Sequence, residues 1–134
     1  MSRSGYTVDC EHLGLYEATV KRTIRGRRGQ AFLRELATEL DVMPDRSLIA
    51  GDLIDADGNC CAIGVVCKSR GTPVDRVDAE DPGAVGGLVG ISHSMAAEIA
   101  FRNDEDDDPW GHTAESREQR WLRMRAWVSS QIFD

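Results

Sequence analysis

Three stretches of this chain place apolar residues three or four positions apart, a period that gathers them on one face of a helix. Leu13, Tyr16, Val20 and Ile24 do so over residues 12–25. "QAFLRELATEL" does so with Phe32, Leu33, Leu36 and Leu40, with Arg34, Glu35 and Glu39 on the opposite face, and Pro44 closes it. Near the other end, Ser116 and Gln119 form a capping-box pattern ahead of Trp121, Met124, Val128 and Ile132. Between the first two, "RGRRG" interrupts the helix, because Gly26 and Gly29 are poor helix residues.

The middle of the chain changes period. "LIAGDLI" and "CCAIGVV" are short apolar runs on either side of "DADGN", which is rich in turn residues. A β-hairpin accounts for both runs, although "CAIGVVCKSRG" is equally compatible with a buried helix ended by Gly71. The expectation is a strand near 48–55 and a mostly helical stretch over 61–70. Beyond it, Asp81 suits an N-cap, Pro82 the first helical position and Gly90 the left-handed C′ position. Ser92 then caps a helix that turns Met95, Ala96 and Ile99 inward. The fold class that follows is mainly α, a compact bundle of five or six helices with a minor β-hairpin or short strand.

At 134 residues the chain suits one globular domain, 1–134, with residues 1–11 flexible and 103–113 an acidic loop. No apolar run is long enough to cross a bilayer, and "MSRSGYTVDC" lacks the apolar core of a signal peptide. The expected location is the cytoplasm, with no membrane partner. Without a secretory context the four cysteines do not suggest a disulfide framework. Cys60 and Cys61 are adjacent, Cys67 lies six positions beyond, and the three histidines are scattered, so zinc spacing is absent and buried thiols are expected.

Charge is divided unevenly. Residues 1–50 carry eight cations against seven acids, whereas residues 51–134 carry eight against sixteen. The net charge of -7 therefore sits in the second part, led by the consecutive acids Asp104, Glu105, Asp106, Asp107 and Asp108. Such a run fits a surface that a cationic nucleic-acid groove accepts in place of phosphates, with Trp110 as an apolar anchor; its bland alternative is a solvated loop. It lacks the central Gly and the ligand spacing of a calcium loop, so no metal is expected. The opposite pole is Lys21, Arg22, Arg25, Arg27 and Arg28, with no acid among them. Arg grips phosphate in a bidentate fashion, which makes Arg22, Arg25, Arg27 and Arg28 the alternative, anion-binding site. The bland reading there is a set of cations offsetting the dipole of a helix C-terminus.

"AVGGLVGISHSMAAEI" has the outline of a helix-turn-helix. Its second helix would expose His93, Ser94, Ala97 and Glu98, with Arg102 as its one cation and the acidic run next, a poor match to phosphates. Duplex DNA binding is therefore not expected, and the segment reads as a structural αα-hairpin. Ser92, His93 and Ser94 are adjacent and diverge by about 100° on a helix, so they cannot act together directly. A Cys61–His93 pair has no local support. No catalytic residue and no cofactor are expected.

"CAIG" at 61–64 followed by "SRG", "GISHSMAAEIAFRND" at 90–104, "EQRWLRMRAWV" at 118–128 and "IRGRRGQAFLREL" together resemble small uncharacterised proteins encoded by bacteriophages and prophages. The resemblance covers most of the chain from about residue 20. It carries no activity and no functional residue, and it implies a small phage accessory protein made inside a bacterium. Proteins of that kind often block host defence by binding. The leading expectation is thus a non-enzymatic inhibitor whose partner is a host protein or protein–nucleic-acid complex with a basic groove, such as a CRISPR effector. A nucleic-acid or phosphate-binding module and a small enzyme or metal-dependent sensor are the alternatives, and a homodimer stays open.

Overall fold

The computed structural model describes residues 13–104 and 115–133. The expected flexible segment 1–11 lies outside them. Six helices follow one another among the described residues: α1 (Leu13–Arg25), α2 (Arg27–Asp41), α3 (Ala62–Arg70), α4 (Pro82–Val89), α5 (His93–Asp104) and α6 (Arg117–Gln131). The fold is the expected mainly helical bundle.

Only Gly26 interrupts the first two helices; its extended backbone starts α2 at Arg27, ahead of Gly29. Gly29 is a helical residue with a packing role. A Cβ there would lie 2.1 Å from the Thr23 carbonyl oxygen and 2.8 Å from that of Ile24, so the first turn of α2 can rest on the end of α1 only without a side chain. Sequence reasoning took this glycine for a helix breaker; close approach is its physical role. Past it, Phe32, Leu33, Leu36, Ala37 and Leu40 form the buried face of α2.

The run after "DADGN" is helix. Cys61 caps α3 by accepting a hydrogen bond from the Gly64 amide, and every residue from Ala62 to Cys67 is buried. This explains why its period was ambiguous: a helix surrounded by core has no polar face to reveal one. The segment before it doubles back as expected, but without a strand among the described residues. One antiparallel bridge joins Ile54 and Cys60, and the remaining closure is by single bonds such as Ile49 N to Cys60 O at 2.9 Å. A ladder does not form because side chains take the backbone groups. Asn103 donates to the Ile49 carbonyl and Arg120 to that of Leu48.

Helices α4 and α5 meet at 102°, with Gly90 in the left-handed conformation and Ser92 accepting from the Met95 amide. The expected exposed face of α5 is corrected at three positions: Ser94, Ala97 and Glu98 are buried. Helix α5 is enclosed on nearly all sides from Ser94 to Ala100. Among the described residues no single helix is long and apolar enough to cross a membrane.

Helix α6 begins with the expected capping box and buries Trp121, Met124 and Val128. Trp121 is 4% exposed; its indole N–H donates to the Leu40 carbonyl at 3.2 Å, and the Arg46 guanidinium stacks 4.7 Å from its ring. Trp127 is only partly buried. Trp121→Ala should cost about 3–5 kcal/mol by chemical denaturation, and Trp127→Ala clearly less. Equal losses in the two variants would contradict the placement of α6.

Candidate functional site

The acidic run begins at Asp104, the last residue of α5, and the next described residue is Glu115, ahead of α6. The described residues on either side are fastened to each other. Arg123 donates to both oxygens of Glu115, at 2.7 and 2.8 Å, and also to the backbone carbonyls of Arg102 and Asn103. Arg120 adds a contact to Glu115 at 3.3 Å and a bond to the Asn103 carbonyl at 3.1 Å. Those carbonyls belong to the last turn of α5, where four orphan acceptors need donors and where cations are favoured. The Glu115 side chain is 8% exposed, so this bidentate pair is largely withdrawn from water and is geometrically exacting.

Asn103 is the buried centre of the same network, 1% exposed. Its side-chain oxygen accepts from the Ala62 amide at 3.1 Å, giving the start of α3 a donor match. Its amide nitrogen donates to the Ile49 carbonyl at 2.9 Å and to Asp104 at 2.8 Å. Asp104 closes α5 and also accepts from the Gly51 amide at 3.2 Å. The first acid of the run is therefore rooted in the fold. Glu105, Asp106, Asp107, Asp108 and Trp110 lie outside the described residues.

The network around Asn103, Glu115, Arg120 and Arg123 was missed in sequence. Its signal was available: Arg120 and Arg123 flank the apolar stripe of Trp121 and Met124, where a solvated helix face would not begin.

The basic cluster straddles the α1–α2 break. Arg22 and Arg25 stand in the last turn of α1, as dipole compensation would have it, whereas Arg27 and Arg28 open α2 at the positive end of its dipole. All are exposed, as is Lys21. Arg25 lies 5.8 Å from the centre of the Phe133 ring. Lys21, Arg22, Arg27 and Arg28 have no hydrogen bond or ion pair from their side chains.

Other groups of chemical interest are engaged or apart. Burial pushes the Cys67 thiol up to about 11 and also raises that of Cys60, away from the thiolate a nucleophile needs. Cys60, Cys61 and Cys67 are buried thiols, as expected; Cys10 lies outside the described residues. His93 begins α5, while Cys61 adjoins Ala62 at the other end of that helix, roughly 15 Å away at 1.5 Å per residue. A Cys61–His93 pair does not form. No group of three His, Cys, Asp or Glu among the described residues could hold a metal ion. A cleft of about 340 Å³ lies between the end of α2 and α3, lined by Val42, Met43, Cys60, Val65 and Lys68 among others; Lys68 there is tied to the Gly58 carbonyl at 3.1 Å.

Two ion pairs contribute to the acid response, beside Asp55, whose carboxyl is held low mainly by hydrogen bonds from Asn59. Hydrogen bonds from Arg70 at 2.8 and 2.5 Å hold the Glu35 carboxyl below its ordinary range, and Arg125 does the same to Asp41 at 2.7 and 2.9 Å. A carboxyl with a folded pKa below its unfolded one contributes stability above the unfolded value and loses it as pH falls through the folded one. The melting temperature should therefore be level from pH 7 to about 5 and decline below about 4. Glu35→Gln with Asp41→Asn should flatten part of that decline, modestly because both pairs are solvent-screened. An unaltered acid limb in the double variant would show that the pairs contribute nothing.

Comparison with known protein families, with curated proteins and with solved structures finds no match.

Proposed function

We propose that this chain is a non-enzymatic binding protein that inhibits a host factor through the acidic segment between α5 and α6. The observation that carries the proposal is the Arg123 clamp: one guanidinium joins Glu115 to the end of α5, so the segment between them has fixed, adjacent roots. That segment, residues 105–114, contains four acids and Trp110, and no cation. Its root also has its own charges satisfied, since Glu115 is matched by Arg120 and Arg123. The net negative charge that the sequence of this segment carries is the feature a cationic partner would read.

A compact run of carboxylates matches the field of a basic groove built for phosphates. Complementarity of that kind accelerates encounter and sets specificity more than it adds affinity. Rooting both ends of a binding segment lowers the entropy cost of association in general. Trp110 would supply the apolar anchor that a purely charged contact lacks. The resemblance to phage-encoded accessory proteins provides the setting, a bacterial cytoplasm. The target it favours is an antiviral nuclease complex such as a CRISPR effector, which exposes a groove of this charge.

Replacing Glu105, Asp106, Asp107 and Asp108 with Asn and Ser should leave stability within about 0.5 kcal/mol. The same change should abolish protection of an infecting phage from CRISPR interference, assayed by plaque counts in cells expressing either form. Binding of the wild-type chain to the responsible effector should slow as salt rises. Equal protection by the neutralised and wild-type chains would overturn the role of the segment.

A further inference from the structure

We infer that the corner where α1 meets α2 is a second binding surface, for compact ligands bearing several phosphate groups, separate from the acidic segment. From residue 18 to residue 34 the chain carries six cations and no acid. Most of the other described arginines are occupied: Arg70, Arg102, Arg123 and Arg125 hold carboxylates, and Arg34 and Arg120 hold backbone carbonyls as well or instead, with Arg76 and Arg117 the exposed exceptions. Lys21, Arg22, Arg27 and Arg28 are exposed and hold nothing.

Helix energetics do not explain them. Arg22 suits the C-terminal end of α1, but Arg27 and Arg28 sit in the first turn of α2, where cations oppose the dipole. Mutual repulsion adds to that. Four unpartnered cations within eight residues therefore work against the local fold, which is the condition expected where an absent anion would relieve them.

The corner is also remote from the root of the acidic segment. The end of α6 is fastened to it, with Gln30 bonded to the Gln131 carbonyl at 2.9 Å and to the Phe133 amide at 2.9 Å. The start of α6 is fastened to Asn103 and Glu115. The corner and the described root of the acidic segment, Asn103 and Glu115, are thus separated by the length of a 15-residue helix, roughly 22 Å at 1.5 Å per residue. A Debye length at physiological salt is about 8 Å, so charges at that root barely weaken the field at the corner. A long duplex would extend well beyond the corner, whereas a short ligand fits within it. Phosphate oxygens suit this surface because they accept paired N–H bonds from Arg. A free polyphosphate and the backbone of a short single strand offer the same chemistry.

Calorimetric titration at 0.15 M salt, using tripolyphosphate, a single-stranded octanucleotide, hexaglutamate and a 20-base-pair duplex, tests this. At least one of the first two should bind. Arg27→Gln with Arg28→Gln should weaken it by about tenfold or more, and Arg22→Gln should weaken it independently. Neutralising Glu105 to Asp108 should leave it unchanged. Tighter binding of tripolyphosphate would identify free polyphosphate as the source, and tighter binding of the octanucleotide a nucleic-acid strand. Without ligand, the Arg27/Arg28 variant should melt no lower than the wild type, and a lower melting temperature would assign those cations to the fold instead. No binding by either phosphate probe, equal binding by hexaglutamate, equal or tighter binding by the duplex, or unchanged affinity in the arginine variants would overturn the inference.

Discussion

Asn103 has three hydrogen-bonding groups in its side chain and uses each on a different piece of backbone or side chain: the Ala62 amide, the Ile49 carbonyl and Asp104. Its own carbonyl receives Arg120 and Arg123 from α6. One buried residue therefore joins α3, α5, α6 and the irregular segment around Ile49. Apolar burial drives the helices together, but it is non-directional and would tolerate several arrangements at this end of the bundle. The Asn103 network selects one. Leaving a buried amide or carbonyl without its partner costs about 1–3 kcal/mol per group, so alternatives that misplace Asn103 forfeit several such terms at once. No buried side-chain nitrogen or oxygen among the described residues lacks a partner.

The same network determines how charge is displayed. Arginines at the base of α6 neutralise Glu115 and the C-terminal carbonyls of α5, and these are structural uses. Exposed cations that hold no carboxylate, Lys21, Arg22, Arg27 and Arg28, stand at the corner to which the finish of α6 is fastened.

Much of the bundle could be read from the amino-acid order, because its helices carry local signatures. Asp81, Gly90, Ser92 and the Ser116–Gln119 box all act at the positions their chemistry indicates. The signatures fail where long-range contact decides. Gly29 reads as a breaker until Thr23 is seen beneath it. Ser94, Ala97 and Glu98 read as an exposed face because a polar residue on a helix usually is; here α5 is enclosed and Glu98 pairs with Arg102 four residues on. The charged poles were visible as composition, whereas their roots were not. Ala62 and Asn103 are 41 residues apart, and no periodicity connects them.

Asn103 as a structural hub implies that its bonds open only when the whole domain does. Native-state amide hydrogen exchange at Ala62, followed across a denaturant series, measures this directly, because that N–H is held by the Asn103 side chain. The expected result is an opening free energy equal to that of the core amides of α2 and α3, falling with denaturant at the slope of global unfolding. A much smaller opening energy, insensitive to denaturant, would show that the bond breaks locally and that the rest of the fold does not depend on it.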